Sequence, residues 1–306
     1  MAKDTAGDGT GTSNGGPGAA VTAQTVDTRH GPLSYVDVGA GDPVLWVHGS
    51  PGGSDQGELM TRFLVAAGFR VVAPSRPGYL ETPLTEANAT PDAQAEMALD
   101  LLDALGLGPV GVACWSGGGP TSYRLTATNP DRVHALVAVA AVSKAYTFAG
   151  GVDESLLAGR LGKWLMKEMA KHAPKSLISS TVKEEGDLTK EQLSTLTEQI
   201  WDDPTKRDFV LTLAGTVAGR KAGLHNDHDR FPEIGDLGLA SIRVPTLLVH
   251  GAVDADVPPD HSDFARDQIP GAELVAIEGG THIAVWTDPT SDDVQARIAS
   301  FLRPAG

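Results

Sequence analysis

The chain has 306 residues, 41% of them hydrophobic, and carries 24 Lys plus Arg against 39 Asp plus Glu, a formal net charge of −15. That acidic balance argues against nucleic acid or an anionic membrane surface as partner, since both require basic patches, and no apolar run approaches the ~20 residues of a membrane span. The single cysteine, Cys114, excludes an intramolecular disulfide and a cysteine-based zinc site.

The first 20 residues are rich in Gly, Thr, Ser and Ala and lack the apolar core of a signal peptide. They read as a disordered tail, and a cytoplasmic protein is the expectation. Thr22 to Thr28 and Leu33 to Val38 alternate polar and apolar residues around His30-Gly31-Pro32, which predicts a hairpin. Val44 to Val47 is an apolar strand running into His48-Gly49-Ser50-Pro51-Gly52-Gly53. A helix over Met60 to Ala67 and a strand over Arg70 to Ala73 follow, then Pro74-Ser75-Arg76-Pro77-Gly78-Tyr79. Pro91 to Leu105 has Pro and Asp at its start, helical apolar spacing and Gly106 as a stop.

Val110 to Cys114 is a buried strand that breaks at Ser116, and a helix starts near Thr121 after three glycines. Val133 to Val142 is another nearly all-apolar strand. Between Lys144 and Asp236 only helical patterns occur: Glu154 to Lys171, Lys175 to Glu185, Lys190 to Trp201 and Thr205 to Arg220. Strands return with Thr246 to His250 and Leu274 to Ile277, and a helix over Ser291 to Leu302 closes the pattern. Continuously apolar strands alternating with helices predict an α/β fold with a mostly parallel, doubly wound sheet. Residues 21–143 and 237–306 form the core of that reading, and residues 144–236 are an inserted helical cap over the sheet's active edge.

Cys114-Trp115-Ser116-Gly117-Gly118 departs from G-x-S-x-G only in its first residue, and cysteine is also small. A serine on so tight a strand-to-helix turn stands clear at the sheet's carboxyl edge, over amides able to stabilise an oxyanion. Its hydroxyl needs a base, and the base needs an orienting acid. In that architecture the order is Ser, acid, His; Asp254 follows the strand Thr246 to His250, and His282 follows the strand Leu274 to Ile277. Asp256 is the rival acid. His48 reads as a structural loop histidine. The run His225, Asp227, His228 and Asp229 fits no zinc pattern and reads as a solvated polar loop. No phosphate loop or dinucleotide fingerprint is present, so neither a cofactor nor a metal is expected.

His48-Gly49-Ser50-Pro51-Gly52, Arg76-Pro77-Gly78-Tyr79, Trp115 to Pro120, His250 to Asp254 and Gly279 to His282 together resemble the α/β-hydrolase superfamily, in particular its capped esterase-like and proline-iminopeptidase-like members. The resemblance implies Ser116 as nucleophile, His282 as base and then acid, Asp254 as the group holding the imidazolium, and backbone amides of Ser50 and Gly117 as the oxyanion hole. Ser75 stands where many such relatives carry an Asp before R-P-G, which puts a salt bridge to Arg76 in question. Relatives that attack with an aspartate at the elbow are set aside by Ser116. Trp115 is expected to touch the pocket. Trp164, Met166 and Met169 either line an acyl pocket or pack the first cap helix.

The expected activity is hydrolysis of a carboxylic ester of a small hydrophobic or aromatic molecule through an acyl-enzyme on Ser116, with that small-molecule substrate as partner, neither nucleic acid nor membrane, and the oligomeric state left open. A proline-iminopeptidase-like aminopeptidase, with Glu184, Glu185, Asp202 or Asp203 holding the substrate ammonium, and a lactonase are the alternatives. A hydrolase-fold binding protein that barely turns over its ligand is the reading from another class.

Overall fold

All six residues of the strand Val110–Trp115 are buried, as a strand covered by helices on both faces requires. The computed structural model describes residues 22–148, 167–217 and 220–304. Its strands are β1 (Gln24–Thr28), β2 (Gly31–Gly39), β3 (Asp42–Val47), β4 (Phe69–Pro74), β5 (Val110–Trp115), β6 (Val133–Val139), β7 (Thr246–Gly251) and β8 (Glu273–Ile277). They form one sheet in the order β1-β2-β4-β3-β5-β6-β7-β8. β1 and β2 pair antiparallel, β2 joins β4 antiparallel, and every pairing from β4 to β8 is parallel.

The helices are α1 (Ser54–Met60), α2 (Arg62–Ala66), α3 (Pro91–Ala104), α4 (Gly119–Thr128), α5 (Pro174–Glu184), α6 (Lys190–Asp202), α7 (Pro204–Gly215), α8 (Lys221–Arg230), α9 (Asp260–Gln268), α10 (Ala284–Thr287) and α11 (Ser291–Phe301). Strand side chains alternate between two cores. Trp46, Val71, Ala113, Trp115, Val137 and Val249 face one, with Leu59 and Leu64 of α1 and α2 and with Val294 and Ile298 of α11. Leu45, Val72, Val112, Cys114 and Leu136 face the other, with Leu101 of α3, Tyr123 of α4 and Ala265 of α9. Ile178, Val182, Ile200, Phe209 and Val210, from α5, α6 and α7, join the first core. The Phe209 ring stacks on Trp286 of α10 at 5.4 Å, so these helices are packed onto the sheet layer.

Several boundaries differ from the sequence pattern. β6 stops at Val139 because Ala140 takes φ 45, and the Val142 N–H turns inward to donate to the Ser116 carbonyl. α7 ends at Gly215 rather than Arg220. α1 and α9 are short and polar in composition, and the sequence pattern does not predict them. The stretch read as a solvated polar loop is instead the helix α8, with Asp227 buried. The N-terminal tail, most of the first cap helix, Trp164 and Met166 lie outside the described residues. Among the described residues no helix is long and apolar enough to cross a membrane.

Candidate active site

Ser116 adopts φ 53, a left-handed conformation that costs a non-glycine residue about 1–3 kcal/mol and recurs at functional turns. The turn is closed by close approaches: a Cβ on Gly118 would meet the Val47 carbonyl oxygen at 2.3 Å, and one on Gly119 would meet that of Val142 at 2.3 Å. Ser116 is buried at the carboxyl end of β5. The loop after β3 lies directly against it. A Cβ on Gly49 would stand 2.9 Å from Ser116 Cβ, and one on Gly117 would stand 2.3 Å from Ser50 Oγ. Ser50 and Gly117 thus adjoin the serine. Cys114 points away into the opposite core, where burial pushes its thiol up to about 12.

Buried ionic contacts fix the loop carrying Ser50. Arg76 donates through Nη1 and Nη2 to the two Asp227 carboxylate oxygens at 2.9 and 2.7 Å. It also donates to the His48 and Gly49 carbonyls and to Ser50 Oγ. Ser50 Oγ and Tyr79 OH each donate to Asp227 Oδ2 at 2.5 Å. The acid missing beside Arg76, where the sequence has Ser75, is therefore supplied by α8. His48 Nε2 accepts the Arg76 backbone N–H, which leaves Nδ1–H to donate to the Gly49 carbonyl. Burial, then the Arg76 charge, hold His48 well below its ordinary value, so it remains a neutral structural ring.

On the far side of β5, Asp254 and His282 meet. His282 Nδ1 donates to Asp254 Oδ2 at 2.7 Å. The same oxygen lies 3.1 Å from His250 Nε2, and Asp254 Oδ1 accepts the backbone N–H groups of Asp256 and Val257 at 2.9 Å. Burial alone would raise the Asp254 carboxyl; the His282 charge and the bonds from His250 and His282 hold it below its ordinary value. Burial works against a charged His282, but Asp254, then Asp256, with Glu185 behind them, push it up to about 10.

The segment following α5 ties these two loops together. The Glu185 carbonyl accepts from His282 N at 2.9 Å, and Asp187 N donates to the Val253 carbonyl at 2.8 Å. Gly186 bridges to Asp254, and a Cβ on it would strike Thr281 Cγ2 at 2.5 Å. Burial raises the Glu185 carboxyl to about 8, with Asp256 and Asp254 adding to it and His282 opposing.

Trp115 joins the two halves of the site. Its ring packs 4.9 Å from that of His282, and its Nε1 donates to the His282 carbonyl at 3.2 Å. Ser116 and His282 are neighbours through it, yet no hydrogen bond links Ser116 Oγ to the ring. His282 Nε2 is buried without a hydrogen-bond partner. The carboxylate facing it is Asp256, with Oδ2 at 3.3 Å. Asp256 therefore enters on the other ring nitrogen, and Asp254 holds Nδ1. Two features escape the sequence pattern, the Asp227 anchor and the Asp256 contact. The D-x-D spacing, and an Arg76 lacking its usual acid, are the signals that point to them.

A buried serine on a strained turn, flanked by loop amides and near an imidazole clamped by a carboxylate, is equipped for acyl transfer. Such contacts often tighten only when substrate arrives. Among the described residues no cluster of three or more His, Cys, Asp or Glu could hold a metal ion.

A family model described as the alpha/beta hydrolase fold matches residues 42–289. A 2-hydroxy-6-oxononadienedioate/2-hydroxy-6-oxononatrienedioate hydrolase of Pseudomonas putida is 30% identical over 83% of this chain and 86% of its own. A pimeloyl-[acyl-carrier protein] methyl ester esterase of Neisseria meningitidis is 28% identical over 74% of this chain and 80% of its own. Among solved structures, an alpha/beta hydrolase fold protein from Nakamurella multipartita is 50% identical, covers 93% of this chain and 100% of its own, and superposes with a TM-score of 0.89.

Proposed function

The chain belongs to the α/β-hydrolase fold family, and on that premise we propose that it is a serine hydrolase cleaving carboxylic esters of small hydrophobic or aromatic molecules. Ser116 Oγ attacks the ester carbonyl while its proton passes to His282 Nε2. The alkoxide of the tetrahedral adduct is held by the amides of Ser50 and Gly117. Collapse expels the alcohol, which takes the proton from His282, and water repeats the sequence on the acyl-enzyme. Asp254 keeps the ring oriented and stabilises its charged form. The observation that carries this reading is the strained, buried Ser116 packed through Trp115 against a His282 already bound to Asp254.

The helices between β6 and β7 serve in this reading as a cap whose apolar side chains meet the acyl group. By their names, one relative is a methyl ester esterase and another a hydrolase of a dioate. The two carboxylates on the His282 ring, Asp254 and Asp256, disfavour a dianionic substrate here, and the ester reading follows the first. A second reading has one specific observation in its favour: the Asp256 carboxylate stands 3.3 Å from His282 Nε2, where it would attract a substrate ammonium, as an aminopeptidase requires. Initial rates on p-nitrophenyl esters from acetate to decanoate and on proline p-nitroanilide, for wild type and Ser116→Ala, separate the two. Ester turnover that vanishes in Ser116→Ala is expected. Anilide turnover without ester turnover would replace the first reading with the second.

A further inference from the structure

His282 lies between two carboxylates instead of between a carboxylate and a hydroxyl. Asp254 takes Nδ1 at 2.7 Å, and Asp256 faces Nε2 at 3.3 Å. The two acids differ in setting. The Asp254 side chain is fully buried and accepts backbone N–H groups on its second oxygen. The Asp256 side chain is 36% exposed, and its Oδ1 is met by Tyr146 OH at 3.3 Å, which also donates to the Asp256 carbonyl at 2.8 Å. Asp254 is a fixed anchor, whereas Asp256 is a carboxylate with room to turn.

We propose that Asp256 is a second positioning residue of the hydrolytic site, pairing with His282 Nε2 in the resting enzyme and yielding that nitrogen to Ser116 during turnover. The inference rests on the serine-hydrolase reading above. Its physical content is a trade. A proton on Nε2 that faces a carboxylate is held more firmly, so fewer rings are neutral, and able to act as base, at a given pH. The same carboxylate stabilises the imidazolium that forms each time Ser116 gives up its proton. Asp256 thus lowers the working fraction of the enzyme near neutrality and raises the rate of each ring that is neutral.

Every charged or titratable group around the ring enters this balance. Asp254 and Asp256 come from the loop after β7, with His250 of β7 behind Asp254. Glu185 comes from the end of α5, with Glu184 next to it, and Tyr146 lies behind Asp256. Among the described residues no Lys or Arg pairs with Asp254 or Asp256 to offset the charge at the ring. Removing one negative charge at Nε2 therefore moves the ring's titration downward; a loosened fold would also let the raised ring relax downward, so the charge-keeping Asp256→Glu and the folding control separate the two.

The test is labelling of Ser116 by a fluorophosphonate, which needs no knowledge of the natural substrate. Ser116 Oγ bonds to phosphorus, fluoride leaves, and the hydroxyl proton goes to His282 Nε2. Second-order labelling rates are measured from pH 6 to 10.5 for wild type, Asp256→Asn, Asp256→Glu and Tyr146→Phe, with Ser116→Ala as blank and circular-dichroism melts as a folding control. In wild type the rate should climb along an alkaline limb. In Asp256→Asn the limb should shift to lower pH by about one unit or more, a gain of about tenfold on the limb, and the high-pH plateau should fall, so the two curves cross. Asp256→Glu keeps the charge and should restore the wild-type limb. Tyr146→Phe keeps the carboxylate and should leave the limb within a few tenths of a unit.

A lower plateau on an unshifted limb in Asp256→Asn would overturn the proposal and leave Asp256 a structural residue. A wild-type protein whose Ser116 is never labelled would instead overturn the serine-hydrolase reading on which the proposal stands.

Discussion

Replacing Asp227 with Ala gives the sharpest test of how the helices between β6 and β7 are attached. Asp227 and Arg76 have side chains 1% and 3% exposed, so the variant leaves a guanidinium in the interior with no counter-charge. It also removes the acceptor used by Ser50 Oγ and Tyr79 OH. Breaking one side of a buried pair costs about 3–5 kcal/mol. Unfolding a chain of this size carries an entropy of roughly 0.6 kcal/mol per degree, so the melting temperature should drop by about 5–8 °C. Removing both charges together with Arg76→Met and Asp227→Ala should cost less than the sum of the single losses, because the stranded charge goes too. Thermal and urea unfolding followed by circular dichroism read this out. A loss under about 1 kcal/mol in Asp227→Ala, well below the buried-pair range, or strict additivity in the double variant, would refute the view that this pair fastens α8 to the loop carrying Ser50.

The same geometry sets other outcomes. Ser116→Ala should abolish ester turnover while leaving the melting temperature within a few degrees of wild type, since alanine keeps the Cβ and the same left-handed backbone at φ 53. Gly186→Val should both destabilise the protein and slow any hydrolysis, because its Cβ would collide with Thr281 and push the loop that carries His282; unchanged kinetics would contradict this. Cys114 should resist thiol reagents in the native state and give one thiol per chain after denaturation, as burial holds it protonated. The pairing of His282 with its carboxylates makes stability depend on pH. Its raised value means that the contribution is fully present below about 6.5 and is lost as pH rises through about 10. Urea midpoints should therefore fall between pH 7 and 10, and His282→Gln should flatten that slope.

Much of this molecule is legible residue by residue. Val110 to Cys114 and Thr246 to His250 read as buried strands because their runs are almost wholly apolar, and both lie inside the sheet. Ser116 and Asp254 are legible because each comes just after such a strand, and His282 because it follows the edge strand β8, where the loops gather at one edge of the sheet. The features that escape are polar and long-range. The run Leu224 to Arg230 has the composition of a surface loop, and nothing local reveals that Asp227 crosses to an arginine 151 positions away. Only the absence of an acid at Ser75 hints at it. α1 and α9 are short and polar, and they form because the sheet surface beneath them is apolar. The D-x-D spacing is visible, but it takes the fold to show that one acid meets Nδ1 and the other Nε2.

The segment Glu185 to Asp187 has a consequence for engineering. It belongs to the stretch between β6 and β7, yet its backbone supports both Asp254 and His282. An exchange of that stretch for a relative's, made to alter what the site binds, would also exchange part of the scaffold under His282. A transplant cut at the ends of β6 and β7 would change selectivity and intrinsic reactivity together. One that retains residues 185–187, and with them the small residue that clears Thr281, separates the two.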